Sequence, residues 1–509
     1  MAIKRYIADA DNTITNAFDR SLLTKNRGTG SNMGLADVLD VFSIYGQASG
    51  STEGLSQELA RVLVQFPIPS VITDRTATKI PASGSVSFYL CLYNAKHGQT
   101  LPRNYKMAIQ AVSSSWEEGN GLDMDNYTDK TYDSVGSNWI QARQSASSDD
   151  GKWTSSGGDY HTSPLFTASF GDKGTENLKI NITSLVEEWI DGTKSNYGVG
   201  IRLSSSYEGY FSSSIGQDSG SLIHNPSGAI ESYYLKRFFA RDSEFFYKRP
   251  TLEARWDSAK KDDRGYFYYS SSLAPAADNL NKLYLYNNIR GKLANIPAIG
   301  TSTLTVKLYS GSSTSTGPSG NVLTTATAGW YSTGIYTASV SLTGAFSKLY
   351  DVWSGSADGE YFTGSISPSS FAAGYYNSSE NYVVAIRNMK KVYTTDETAR
   401  LRLFTRAKNW YPNIYTKATT AEQTLIIPSS SYKVVRLADN YEIIEYGTGS
   451  TTAHTQLSYD VSGNYFDLDM SLFEPGYMYG IRLSFYDDSV LDWREQKHIY
   501  KFRVDEDNE

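Results

Sequence analysis

Apolar and polar residues alternate along most of this chain with the two-residue period of a β-strand. In residues 86–93 one face is apolar and is formed by Val86, Phe88, Leu90 and Leu92. Cys91 falls on the opposite face, which indicates a structural strand residue rather than a reactive thiol. The same alternation recurs in residues 336–342 and 498–504. Short strands of this kind, separated by Gly/Ser/Asn-rich turns, predict an all-β protein of tandem antiparallel β-sandwiches, jelly-roll or immunoglobulin-like, with isolated short helices.

One segment has the period of a helix instead. Apolar residues at i, i+3, i+4 and i+7 are Ile182, Leu185, Val186 and Trp189. Ser184 and Glu187 have the spacing of a capping box, and Gly192 stands where a helix would end. A short helix is therefore predicted over about 184–190. Adjacent helical positions point about 100° apart, so Glu187 and Glu188 are not expected to act as a catalytic acid pair.

Composition fits half-solvated sheets and argues against nucleic acid. Aromatic residues make up 13% of the chain, with 39 Tyr among them, and a phenol can pack its ring while keeping its hydroxyl in water. The net charge is −7, and acidic and basic residues are mixed along the chain. Nucleic-acid binding would require a basic stripe, and the sequence has none.

Two breaks in the pattern suggest three domains. The charged stretch at 257–265 follows a strand-like segment and is predicted to be a linker, and a second break lies at 367–381. The predicted domains are a β-sandwich at 1–260, an immunoglobulin-like sandwich module at 261–375, and a C-terminal immunoglobulin or fibronectin-III-like module at 376–509.

Several landmarks in the first 260 residues resemble the DNRLRE family of β-sandwich modules. They are "DNTITNAF", "RGTGSNMGLADVLDVFSIYGQ", "ARVLVQFPIP", "SSWEEGNG" with Trp116, "SNWIQA" with Trp139, the helical segment, and "FFARDSEFFYKRPTLEARW" with Arg241 and Asp242. The family occurs in large surface-associated proteins. The resemblance implies that the helix lies across an open end of the sandwich, with Leu185, Val186 and Trp189 closing its core.

The C-terminal part carries a shorter resemblance. "LFEPGYMYGIRLSFYD" is similar to the penultimate strand of a fibronectin-III or immunoglobulin-like domain, with Leu472, a turn Pro475 and a corner Tyr479. The aromatic residues of "KLYDVWSGSADGEYFTGSI", among them Trp353 and Phe362, are interpreted as core rather than as a binding surface.

No catalytic, cofactor-binding or metal-binding residue is predicted from the motifs of the sequence. The five histidines have no zinc spacing, and "RGTGSNMG" lacks the strand and helix that a phosphate loop needs. "LDMDNYTD" offers oxygen ligands for a weak Ca²⁺ site at Asp123, Asp125 and Asp129, although the glycine and glutamate of an EF-hand loop are missing. A solvated acidic loop is the other interpretation of this segment.

Compartment signals point to a protein that folds in a reducing cytoplasm. Cys91 is the single cysteine, so no intrachain disulfide is available. The first residues contain no apolar signal-peptide region, and no run of about 20 apolar residues predicts a membrane span. A Tyr/Ser-rich surface without disulfides or a signal peptide fits a phage virion protein, made in the host cytoplasm and released by lysis. An ordinary cytosolic β protein is the alternative.

The sequence thus predicts a non-catalytic bacteriophage virion structural protein, such as a tail, neck, fibre or capsid-decorating component. Its expected partners are other virion proteins and its own copies, in a homo-oligomer or symmetric array, with contact to a host-surface glycan as an additional expectation. Neither nucleic-acid binding nor membrane insertion is expected. A carbohydrate-binding or polysaccharide-depolymerising surface protein is the alternative, and a bacterial adhesin is a third hypothesis that the missing signal peptide weakens.

Overall fold

The computed structural model describes residues 2–17, 28, 30–44, 58–98, 104–122, 136–143, 151–171, 173–210, 225–230, 232–312, 317–355, 359–368, 382–408, 410, 414, 424–447, 453–487 and 490–506. These residues divide into two compact units, Ala2–Trp256 and Asp257–Glu509. About 48% of the structure is strand and about 7% is helix, which confirms the all-β multi-sandwich prediction.

The first unit is a β-sandwich with two short helices. Its elements are β1 (Ile3–Ile7), β2 (Ala10–Thr15), β3 (Val38–Ile44), β4 (Glu58–Gln65), α1 (Ile68–Thr76), β5 (Ser87–Leu92), β6 (Tyr105–Val112), β7 (Tyr160–Phe170), β8 (Leu178–Asn181), α2 (Thr183–Ile190), β9 (Val199–Leu203), β10 (Tyr233–Phe239), a 3₁₀ helix (Phe246–Lys248) and β11 (Thr251–Arg255). One antiparallel sheet has the order β1-β11-β5-β8. The other has the order β10-β3-β4-β9-β6-β7, with β2 paired to β4.

Alternating side chains of the two sheets form the main core of the first unit. Phe88 and Leu90 of β5 and Val62 and Val64 of β4 are fully buried in it. The opposite face of β4 is also covered, by a second cluster that includes Trp116, Trp139 and Trp153. Cys91 lies in β5, as the alternation predicts, and it is also buried, because the face of β5 that carries it is covered too.

The predicted helix is present, but its cap is not the predicted one. It begins at Thr183, one residue before Ser184, and its N-cap residue makes no side-chain capping bond. The predicted Ser184–Glu187 capping box is therefore wrong: Glu187 instead accepts two hydrogen bonds of 2.7 Å from Arg75 of α1. Gly192 follows the helix with φ of +80°, a conformation that favours glycine.

The second unit begins with a six-stranded antiparallel sheet in which two pairs of neighbouring strands are not consecutive in sequence. Its elements are a 3₁₀ helix (Asp263–Gly265), β12 (Asn281–Tyr286), β13 (Asn288–Ile289), β14 (Lys292–Leu293), β15 (Leu304–Gly311), β16 (Ser319–Ser332), β17 (Ile335–Val340), β18 (Lys348–Ser354) and β19 (Glu360–Ile366). The six-stranded order is β12-β17-β16-β15-β18-β19. Its core includes Val306, Tyr336 and Trp353, each fully buried.

The remaining strands of the second unit have the order of an immunoglobulin sandwich. They are β20 (Tyr382–Ile386), β21 (Val392–Thr394), β22 (Thr398–Ala407), β23 (Ser430–Arg436), β24 (Tyr441–Ile444), β25 (Ser458–Asp460), β26 (Gly463–Asp469), β27 (Met478–Asp487), β28 (Asp492–Glu495) and β29 (Tyr500–Asp505), with a 3₁₀ helix at Met470–Leu472. The sheets β20-β22-β26-β25 and β29-β27-β23 match the ABED and GFC sheets of that fold. The hydroxyl of Tyr479 donates to the carbonyl of Glu474 at 2.6 Å, the bond of a tyrosine corner.

The charged stretch at 257–265, predicted to be a linker, begins where the first unit ends and contains two buried charged residues. Asp262 and Arg264 are 4% and 8% exposed. Arg264 donates to Asp262 and to Asp351 of β18, and its guanidinium lies over the Trp353 ring at 5.8 Å. The stretch therefore forms part of the packing of the second unit.

The C-terminal alternation holds only in part, because Tyr500, Phe502 and Val504 are buried while His498 is exposed and precedes the strand.

Candidate functional site

Segments that the sequence analysis singled out separately lie together beside β2 in the first unit. Asn32, from the glycine-rich loop before β3, is 1% exposed. Its Nδ2 donates to the carbonyls of Glu118 at 2.7 Å and Ser137 at 2.8 Å, while its Oδ1 accepts from the amides of Gly34 and Gly121 at 3.1 and 2.8 Å. We call Asn32 and these four partners the Asn32 network.

Glycines of the Asn32 network allow its loops to approach one another. A Cβ on Gly34 would lie 2.4 Å from the carbonyl oxygen of Glu118, and one on Gly121 would lie 1.7 Å from that of Asn32. Gly34 and Gly121 therefore serve close backbone packing, and the side-chain amide of Asn32 satisfies the buried peptide groups that result.

Replacing Gly121 by alanine is expected to destabilise the first unit by about 1–3 kcal/mol, since the new methyl group would overlap backbone atoms. Gly98→Ala is the matched control: no atom lies within 4 Å of its Cβ position and its φ is not positive. Chemical denaturation of both variants tests this, and equal stabilities would contradict the packing role.

A second group, which we call the Asp11 group, adjoins the Asn32 network and consists of Asp11, Glu118 and Arg241. The Asp11 carboxylate accepts from the backbone amide of Arg241 at 2.6 Å, and the amide of Asp11 donates to Glu118 Oε1 at 2.8 Å. The Arg241 guanidinium donates to both Glu118 oxygens at 3.1 and 3.0 Å. Burial, together with the nearby charges of Glu118 and Asp242, raises the pKa of Asp11 to about 8 despite the bond from Arg241.

Because the pKa of Asp11 is raised, its contribution to the free energy of unfolding should fall as the pH rises from about 4 to about 8. The folded protein holds the proton up to about pH 8, whereas an unfolded Asp releases it near pH 4. The stabilisation is thus complete below the unfolded pKa and lost as pH rises through the folded one. Between pH 6 and pH 9 the wild type should lose roughly 2–3 kcal/mol more than Asp11→Asn. If the free energies of unfolding of the two proteins changed equally with pH, the pKa of Asp11 would not be raised by folding.

The carboxyl groups of the Asp11 group are hydrogen-bonded to other members of the same group. The oxygens of Glu118 are bonded to Arg241 and to a backbone amide, so the arrangement fixes loops rather than presenting a base to solvent. Within the described residues, no group of three or more His, Cys, Asp or Glu side chains is placed to hold a metal ion. The Ca²⁺ candidates Asp123, Asp125 and Asp129 lie outside the described residues.

Glu187, Glu188 and Cys91, the other candidates for a chemical role, are held in ion pairs or buried in the fold. Glu187 is bonded to Arg75, and Glu188 to Lys194 Nζ at 2.7 Å. Burial raises the pKa of the Cys91 thiol to about 12, so it stays protonated at neutral pH. Among the described helices none is both long and apolar enough to cross a membrane.

Buried ion pairs are the main feature that sequence reasoning missed. In β4, Arg61 pairs with Glu208 through three bonds of 2.9–3.1 Å, and both side chains are almost fully buried. In β11, Glu253 lies between Arg5 and Arg255, and these two arginines hold its pKa down at about 2 despite its burial. The available signal was a charged residue inside an otherwise apolar strand, as in "LARVLV".

A small pocket of about 20 Å³, little more than the room for one water molecule, lies in the second unit between Lys260 and Asp467. Tyr432 and Phe466 line it, but their rings stack on each other at 4.3 Å and are buried. A sugar ring would need an exposed aromatic face, so the pocket is not a carbohydrate platform of that kind.

Comparisons with known proteins do not assign a family. No family model and no curated protein matches the chain. A titin fragment is 9% identical, with 49% of this chain and 95% of that chain covered and a TM-score of 0.15. The BSP domain of a biofilm associated protein is 9% identical over 100% and 90% of the two chains, with a TM-score of 0.17. A DUF4785 family protein from Legionella pneumophila is 8% identical over 91% and 90%, with a TM-score of 0.13. Similarities at these TM-scores carry no information on function.

Proposed function

We propose that this chain is a non-catalytic structural protein of a bacteriophage virion, which docks to other virion proteins and to its own copies. The observation that carries the proposal is β7, an 11-residue strand at the end of the seven-stranded sheet. Within the described residues it pairs only with β6, which leaves a long row of peptide groups available to a neighbouring strand.

The side chains of β7 suit an assembly edge. Phe166, Ala168 and Phe170 pack against the main core, whereas Leu165 and Thr167 face solvent. Leu165 is 56% exposed. An edge strand that is anchored on one face and open on the other can accept a partner strand without unfolding its own sandwich.

Internal ion pairs support a scaffold role. The charged groups of two ion-pair sets are bonded to each other inside the sandwich and hold its strands together: Arg61–Glu208 and Arg5–Glu253–Arg255. With one cysteine, the chain cannot be braced by intrachain disulfides, which suits folding in a reducing host cytoplasm. Many copies with modest interfaces would together give a stable particle.

The proposal is tested by introducing charged side chains on β7. Leu165→Lys combined with Thr167→Lys should leave the melting temperature within about 2 °C of the wild type, since both positions are exposed. Incorporation of the variant into particles should fall at least about tenfold, because lysines on an edge strand disfavour its pairing with a strand of another molecule. Ser195→Lys, at an exposed loop position, is the control and should be incorporated normally. Normal incorporation of the doubly charged variant would contradict docking through β7.

Carbohydrate binding is the competing proposal, and one position favours it. Trp330 is 39% exposed, and its Nε1 donates to Asn295 Oδ1 at 3.1 Å, which places an oriented indole beside an amide. If glycan binding were the main function, Trp330→Ala would abolish retention of the protein on host polysaccharide and leave particle incorporation unchanged.

A further inference from the structure

Lys236 is a lysine whose side chain is completely buried inside the first unit. It lies in the middle of β10 between Tyr234 and Phe238 on the inward face of the strand, and its side chain is 0% exposed. Its Nζ lies 5.3 Å from the centre of the Phe170 ring and 5.8 Å from that of Phe238. Burial lowers the pKa of Lys236 to about 8, which raises the fraction of neutral, nucleophilic amine at neutral pH.

An amide and a carboxylate accompany this amine. Nζ of Lys236 donates to Asn94 Oδ1 at 2.7 Å and to the carbonyl of Gly174 at 3.0 Å. Because a C=O bond is about 1.2 Å long, Nζ lies within about 4 Å of Asn94 Cγ. Glu176 Oε2 is 4.0 Å from Nζ, is buried, and has no hydrogen-bond partner among the described residues.

We propose that Lys236 and Asn94 form an intramolecular amide bond between Nζ and Cγ. A neutral amine attacks the carboxamide carbon, the Nζ–Cγ bond forms, the Cγ–Nδ2 bond breaks, and Nδ2 leaves as ammonia. Glu176 takes the proton that Nζ loses and passes it to the departing nitrogen, so the carboxylate is regenerated. Lysine plus carboxamide gives secondary amide plus ammonia, and no oxidant or cofactor takes part.

The side chains and backbone around Lys236 and Asn94 favour formation of the amide bond. The phenyl rings exclude water that would otherwise solvate the amine, and the β-bridge between Asn94 and Phe238 fixes the two backbones side by side. The link would join β10 of the seven-stranded sheet to the segment just after β5 of the other sheet, across 142 residues of chain. Such a cross-link needs no disulfide and forms in a reducing cytoplasm, so it would brace a chain that has one cysteine.

Peptide mapping of the purified full chain tests the proposal. Tandem mass spectrometry after trypsin digestion should show a branched peptide that joins the segment containing Asn94 to the segment containing Lys236, lighter than their sum by one ammonia. Trypsin should not cleave after Lys236. Separate, unmodified peptides with free Lys236 and an intact Asn94 in the wild type would overturn the proposal, whether or not any variant folds.

Variants then assign the roles of the three side chains. Asn94→Ala and Lys236→Met should show the unlinked mass and melt roughly 10–20 °C below the wild type, the effect of losing a cross-link over so long a loop. Glu176→Gln should fold but remain largely unlinked, and full linkage in this variant would overturn the proton-transfer role of Glu176. Lys194→Met, which removes a different bonded lysine, is the control and should keep the link.

Discussion

Replacing Arg264 by alanine is expected to lower the free energy of unfolding of the second unit by about 3–5 kcal/mol. Arg264 donates to Asp262 at 2.7 Å, to Asp351 at 2.6 Å and to the carbonyl of Tyr284 at 2.5 Å. The Asp351 side chain is 0% exposed and that of Asp262 is 5% exposed. Without the guanidinium, two buried carboxyl groups would lose their counter-charge, and the variant therefore costs more than the bonds it removes.

Arg503→Ala provides the control for Arg264→Ala. Arg503 also pairs with an acid, Asp505, at 2.6 Å, but the two side chains are 51% and 39% exposed. Exposed pairs contribute about 0–1 kcal/mol, so this variant should be nearly neutral. Because the chain has two units, hydrogen exchange at the amides of β12 and β18 reports the second unit by itself. Equal protection in the two variants would show that Arg264 is dispensable for stability.

Trp189→Ala is expected to destabilise the first unit by about 3–5 kcal/mol, the usual effect of removing a large buried aromatic side chain. Trp189 is 4% exposed and lies with Leu185 and Val186 in the main core, so the helix α2 contributes its apolar face to the sandwich. Alanine would leave a cavity that the two sheets cannot close without distortion.

Leu165→Ala is the matched control for Trp189→Ala. Leu165 belongs to the same unit but is 56% exposed, so its truncation should change the stability by no more than about 0.5 kcal/mol. Thermal and chemical denaturation of both variants provide the measurement. If Trp189→Ala melted at the wild-type temperature, α2 would not be part of the core.

The local period of apolar residues correctly predicted those strands and helices that bury one side in the core. The alternation around Cys91 and the helical face of α2 were correct because each pattern depends on one buried side of one element. Helix α1 was missed, since its sequence "IPSVITDRT" is rich in β-branched residues and only Ile68 and Val71 supply buried apolar side chains. It is held in part by the ion pair between Arg75 and Glu187, which lie 112 residues apart.

The polar groups of the interior were harder to predict because their partners are distant in sequence. Asp11 and Arg241 are 230 residues apart, and the landmarks that contain them gave no sign that they meet. Lys236 illustrates a signal that was present: in "YYLKRFF" the two-residue period places it on the same face as Tyr234 and Phe238. A charge on the apolar face of a strand indicates a buried partner, but the sequence does not say which residue that is.

The proposed virion role is tested most directly by quantitative proteomics of phage particles purified from a host culture in which this chain is produced. A virion structural protein should be present in a fixed copy number relative to the major capsid protein, and should stay with the particles through a density gradient. The isolated protein should release no reducing ends from host polysaccharide. Absence of the chain from purified particles, or polysaccharide cleavage that one carboxylate substitution abolishes, would contradict a non-catalytic role in the virion.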